Sequence, residues 1–176
     1  IGYNFRISEL LAAVGLAQIR KLGTFLSLQK NNNKALRAYL EQVPGISFRV
    51  VPEGGDDSCS FLSWFLPTEE ITKAVVAEMK VQGILAGNFY WYVNNWHYLS
   101  KWDHLKNAIT LSAISEVQKA ALLKLKKTSF SASDAIMSRC ISTAISLVWT
   151  EEQIREKGEK MVAVIQKVLQ EKMQQA

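Results

Sequence analysis

Cysteine is scarce: Cys59 and Cys140 are the only two in 176 residues, too few and too far apart for a disulfide framework or a zinc site. They read as reduced, core-buried thiols of a cytoplasmic protein, in a sequence that shows no signal-peptide pattern. No apolar run approaches the roughly 20 residues that a membrane span requires, so no membrane association is expected. Charge of one sign is also in short supply: Lys plus Arg number 21 against 16 Asp plus Glu, a surplus of +5. The nearest approach to a basic stripe is Lys119, Lys124, Lys126 and Lys127, with no aromatic residue between them, which argues against a nucleic-acid partner. The self-contained catalytic signatures are missing too: there is no P-loop, no GxGxxG after a strand, no HExxH and no GxSxG. His97 and His104 have no third ligand in an obvious place, so no metal is expected.

What is present is an ordinary globular composition, 48% hydrophobic and 21% charged, enough to bury a core and unlike disordered, collagenous or mucin-like chains. The length suits one domain, or a domain and part of another. Ser8 predicts the cap of a helix running to about Leu22, with Gly23 as its stop. Ile7, Leu10, Leu11, Val14, Leu16 and Ile19, with Ala12, Ala13, Gly15 and Ala17, leave this helix apolar on nearly every side, so something outside it has to cover it. A longer helix is predicted from Thr24 to about Val43, with Leu28, Leu36, Tyr39 and Leu40 on one stripe, ended by Pro44-Gly45.

The period then changes. Ile46, Phe48 and Val50 alternate as a half-buried strand, Pro52 to Asp57 is a loop, and Cys59 to Leu66 is a strand apolar on both faces and hence central. Thr68 caps a helix with an acidic first turn and Gly83 behind it, its inward stripe Ile71, Val75 and Met79. Ala86 to Asp103 holds seven of the 17 aromatic residues and could be strand, loop or pocket lining. Ser115 and Gln118 predict a capping box, Thr128 to Asp134 a Ser-rich loop, and Arg139 to Trp149 a strand with a large side and a small side, the small side suited to a covering helix. Thr150 and Gln153 open a terminal helix with Ile154, Met161, Ile165, Val168 and Leu169 inward. Antiparallel strands with helices on one face make an α+β domain over residues 44–176; residues 1–43 read as the end of a preceding domain and a connecting helix.

Gly2-Tyr3-Asn4-Phe5-Arg6, just ahead of the first helix, can present backbone N–H groups, an amide and a guanidinium to an anion, or can be an ordinary helix approach. The run Gly2-Tyr3-Asn4, Arg6, Ser8-Glu9-Leu10, Ala12-Ala13, Gly15-Leu16 and Gln18 resembles the signature of the DegT/DnrJ/StrS sugar aminotransferases. The ending Arg139 to Ile145 and Trp149 to Ile154 is similar to that family's last strand and helix. Within the family the likeness is strongest to the 8-amino-3,8-dideoxy-manno-octulosonate transaminases, which aminate a keto derivative (8-oxo-Kdo) of a lipopolysaccharide sugar.

The resemblance implies an α/β protein of the fold-type I pyridoxal 5'-phosphate class, cytoplasmic and homodimeric, with each active site built from both subunits. It implies amino transfer to a keto sugar, with glutamate as donor and 2-oxoglutarate as product. Asn4 would give its amide to the cofactor phosphate in the neighbouring subunit's site, Arg6 would serve an anionic substrate group, His97 would reach the sugar, and Tyr3 would pack against the loop. The Schiff-base Lys would lie upstream of Ile1, so this segment alone is expected to be inactive. The alternatives are a nucleotide-hexose aminotransferase or dehydratase of the same fold, and a non-enzymatic α+β interaction domain that docks through its aromatic cluster.

Overall fold

The computed structural model of the chain describes residues 6–93 and 97–174. Four short strands, β1 (Ser47–Phe48), β2 (Phe61–Phe65), β3 (Asn88–Tyr90) and β4 (Cys140–Ala144), form a sheet ordered β1-β2-β4-β3 with every neighbouring pair antiparallel. Among the described residues there are seven α-helices: α1 (Glu9–Ile19), α2 (Leu22–Leu40), α3 (Glu69–Val81), α4 (Asp103–Lys106), α5 (Glu116–Leu125), α6 (Ser131–Met137) and α7 (Glu151–Gln174). The arrangement is α+β, as the order of elements predicts.

Strand register sorts the side chains. Leu62, Trp64, Asn88, Tyr90, Ile141 and Thr143 share one face of the sheet. That face meets Leu36 and Leu40 of α2, Val75 and Met79 of α3, and Ile154, Met161, Ile165 and Val168 of α7 in one buried cluster. α7 lies against both α2 and α3. It comes close to α2 because residue 158 is glycine: a Cβ there would sit 2.4 Å from the Tyr39 ring. A polar chain crosses the buried face: Trp64 Nε1–H donates to Thr143 Oγ1 (3.1 Å), Thr143 donates to Asn88 Oδ1 (2.6 Å), and Asn88 Nδ2 donates to the Ile84 carbonyl (2.8 Å). Every member is thereby satisfied inside the core.

The sequence-based expectations fare unevenly. The Thr68 cap, the Ser115–Gln118 box and the Thr150–Gln153 box all form, and Gly83 takes the positive φ of a helix stop. β2 is central, between β1 and β4. Gly23, however, stops nothing: α1 closes at Arg20 and Lys21, where the Lys21 N–H bonds back to the Gln18 carbonyl, and Gly23 falls in the first turn of α2. The strand expected from Ile46 to Val50 shrinks to Ser47–Phe48, because beyond Arg49, whose N–H still reaches the Ser63 carbonyl, the chain leaves the sheet. The Ser-rich segment is not a loop throughout, since α6 starts inside it at Ser131. The last strand ends at Ala144 rather than Trp149.

The covering-helix expectation for the small side of β4 is reversed. The helices pack on the large side, with Ile141 and Ile145. Cys140, Ser142 and Ala144 face the opposite side, where register places Phe61, Phe65 and Phe89 of the neighbouring strands; small residues in the middle strand leave room for those rings.

α2 is fastened to the sheet by its second half: Asn32 Nδ2 donates to the Ser146 carbonyl (2.9 Å) and Asn33 Nδ2 to the Phe61 carbonyl (3.2 Å). α1 is not. None of its residues is buried, and Leu10, Leu11 and Leu16 are 75%, 62% and 53% exposed. The two helices meet at a 51° bend, and no single helix among the described residues is long and apolar enough to cross a membrane.

Candidate functional site

Ser8 opens α1 by accepting the Leu11 N–H on its hydroxyl (3.3 Å). Arg6 stands exposed two residues ahead of that cap. Asn4 and Tyr3 lie outside the described residues. Arg6 therefore stands at the start of an apolar helix that the other described residues leave uncovered.

The aromatic stretch resolves into two series of rings. On the face of the sheet opposite α2, α3 and α7, Phe61 meets Phe89 edge-on (centroids 6.0 Å, 67°), Phe89 stacks on Trp91 (5.6 Å, 21°), and Trp91 meets the exposed His97 (5.4 Å, 58°). Phe61 is 41% exposed, so this is an open aromatic surface with an imidazole at its edge. The second series is Tyr90, Tyr92 and Tyr98, at 6.2 and 6.1 Å, with the Lys101 ammonium 4.1 Å above the Tyr92 ring.

The tyrosines are held by α6 and the residue that follows it. Tyr90 OH donates to the Ser138 carbonyl (2.8 Å), and Tyr98 OH donates to the Asp134 carboxylate. Burial pushes the Tyr90 phenol up to about 12; burial first, and then the Asp134 hydrogen bond, push Tyr98 up to about 12 as well. Both are neutral donors across the physiological range and unsuited to act as general bases there. Cys140 is in the same condition, its thiol pushed up to about 11 by burial. Sequence reasoning saw the aromatic density but missed the Tyr98–Asp134 and Tyr90–Ser138 pairs, because their partners lie 36 and 48 residues apart.

Two grooves flank α7. One, of about 340 Å³, lies among Gly83, Ala86, Trp149, Glu156, Lys157 and Lys160; the other, of about 290 Å³, among Glu78, Gln82, Ile84, Val164 and Lys167. Burial lowers the Lys157 pKa, and its ammonium lies 5.7 Å above the Trp149 ring with the Ala86 carbonyl at 3.3 Å. Among the described residues no three His, Cys, Asp or Glu side chains gather for a metal ion; His104 lies beside Trp102, 6.2 Å between rings.

Residues 1–162 match the family model described as the DegT/DnrJ/EryC1/StrS aminotransferase family. The chain belongs to that family. Its members are pyridoxal-phosphate-dependent aminotransferases, so the cofactor can be tested against the residues at hand. Such a site needs a lysine amine facing a cavity, a carboxylate for the pyridine nitrogen and donors for the phosphate. Here Lys30, Lys106, Lys167 and Lys172 pair with Asp56, Asp103, Glu78 and Glu70. Lys157 is taken up by Trp149 and Ala86, and Glu156 in the same groove pairs with Lys160. The described residues do not make a pyridoxal-phosphate pocket by themselves. What this DegT-family chain contributes is a helix approach with a guanidinium, an uncovered apolar helix and an aromatic surface edged by His97.

Proposed function

We propose that this chain is the C-terminal part of a sugar aminotransferase that moves an amino group from glutamate onto a keto sugar, with 8-oxo-Kdo as the substrate, in the cytoplasm. In this reading residues 1–43 are the end of the large cofactor domain and the connecting helix, and residues 44–176 are the small domain. The protein is a fold-type I homodimer, and α1 is covered by the large domain and the second subunit. The observation that carries the reading is the family match across residues 1–162, joined to an α1 that exposes leucine on every side. An isolated domain has no reason to present such a helix to water, where each fully exposed Leu forgoes about 1.5–3 kcal/mol of burial.

The roles of the chain's own residues follow from their chemistry. Asn4 is a fixed neutral donor and can hold the cofactor phosphate in the neighbouring subunit's site in any protonation state of that group. Arg6 adds charge and a planar fork that matches a carboxylate. In this reading Tyr3 packs against the loop. By the same reading His97, exposed at the edge of the Phe61–Phe89–Trp91 surface, hydrogen-bonds a sugar hydroxyl while the rings receive the sugar's apolar C–H face.

The test is the affinity of the full-length protein for pyridoxal phosphate, measured by titration of the stripped protein. Asn4→Ala should weaken it about fivefold, the value of one lost hydrogen bond, and Asn4→Asp should weaken it further, by setting a carboxylate against a dianion. Unchanged affinity in both variants would remove Asn4 from the site.

A further inference from the structure

Tyr98 is buried, 6% exposed, and the residue before it, His97, is exposed. Tyr98 has extended backbone angles (φ −109°, ψ 105°), so successive side chains here project to opposite sides and whatever pins one side chain orients the other. The pin is the hydrogen bond that Tyr98 OH donates to Asp134, with the Ser100 side chain as a second partner of the same hydroxyl. Asp134 is in turn on a fixed support. α6 is tied to the sheet by Tyr90, whose hydroxyl bonds the Ser138 carbonyl, and by Arg139, whose guanidinium reaches back to the Ala135 carbonyl (2.9 Å) and across to the Leu66 carbonyl (3.3 Å). Beyond Tyr98, Lys106 Nζ holds the Ser100 carbonyl at 2.7 Å. A connected set of bonds therefore runs from the sheet, through α6, to the backbone that carries His97.

We infer that Tyr98 and Asp134 are positioning residues for His97, holding its imidazole at the edge of the Phe61–Phe89–Trp91 surface. The inference rests on the reading of His97 as a sugar contact, and goes beyond it by naming what sets the geometry. A hydrogen bond to a charged acceptor from a buried donor is among the stronger fixings a loop can have. An imidazole left to rotate would lose most of its value as an oriented donor or acceptor.

His97 and His104 are the two histidines of this chain, and their imidazole resonances in the full-length protein are assigned by comparison with His97→Ala and His104→Ala variants. In Tyr98→Phe the ring stays and the bond to Asp134 goes. The His97 resonance, set by the nearby Trp91 ring, should move while that of His104 stays, and KM for the keto sugar should rise about fivefold with kcat within about twofold. Asp134→Asn keeps an acceptor oxygen without the charge and should fall between the parent and Tyr98→Phe in both readouts, whereas Asp134→Ala should behave like Tyr98→Phe. An unmoved His97 resonance in Tyr98→Phe and Asp134→Ala overturns the inference, as do equal shifts at His97 and His104, which would report general loosening. If the His97 resonance moves as expected but His97→Ala leaves KM unchanged, the positioning stands and the sugar-contact reading fails.

Discussion

A methyl group added at Gly158 has nowhere to go, because the Tyr39 ring already occupies its place at 2.4 Å. Gly158→Ala should force α2 and α7 apart and cost about 1–3 kcal/mol, seen as a lower urea midpoint at unchanged m-value. Thr143→Val should cost about as much by a different route: its shape is nearly the same, but the Trp64 indole N–H and the Asn88 carbonyl oxygen lose their partner in the core. Alkali provides a third probe. Tyr90 and Tyr98 have folded pKa values near 12, above the ordinary 10.0. Their stabilisation is therefore complete below pH 10 and is lost as pH rises toward 12, the unfolded chain releasing its protons first. Urea midpoints should fall over that window, and Tyr98→Phe should fall less steeply. Residues whose partners are three positions away were legible in the sequence, as Ser115 with Gln118 and Thr150 with Gln153 show. Asn88 with Thr143 was not, since only the strand register brings positions 55 residues apart together.

Among the elements, α1 and α6 mark the limits of pattern reading. The apolar circumference of α1 was plain from its residues, and the helix does form under the Ser8 cap; what covers it was not plain, because coverage is a property of other surfaces. Leu11→Glu with Leu16→Glu should leave the thermal stability of the α+β core within about 0.5 kcal/mol, as both side chains are more than half exposed. A large loss would mean that α1 contributes to the core after all. α6 was hidden by serine, which favours turns and helix starts alike, and Phe130 resolves the ambiguity by offering its carbonyl to the Asp134 N–H at 2.7 Å. β4 betrayed its alternation but not its polarity. The large side faces the helices because three of them supply apolar stripes there, while the small side lies under rings from the neighbouring strands.

For the molecule as a whole, fold class and family were readable from length, element order and one N-terminal run of residues, while the geometry around His97 was not. An uncovered α1 also predicts solution behaviour. The isolated chain should self-associate with rising concentration in sedimentation experiments, and the Leu11→Glu, Leu16→Glu variant should sediment as a smaller species. The strand order carries a last consequence, for synthesis. Trp64 in β2 and Thr143 in β4 are neighbours in the sheet but 79 residues apart in the chain. At translation rates of about 5–20 residues per second, a nascent β2 waits roughly 4–16 s for its partner. Through that interval the β4-facing edge of Phe61–Phe65 is an open invitation to a neighbouring nascent chain, which makes this strand the place where a ribosome-associated chaperone has most to protect.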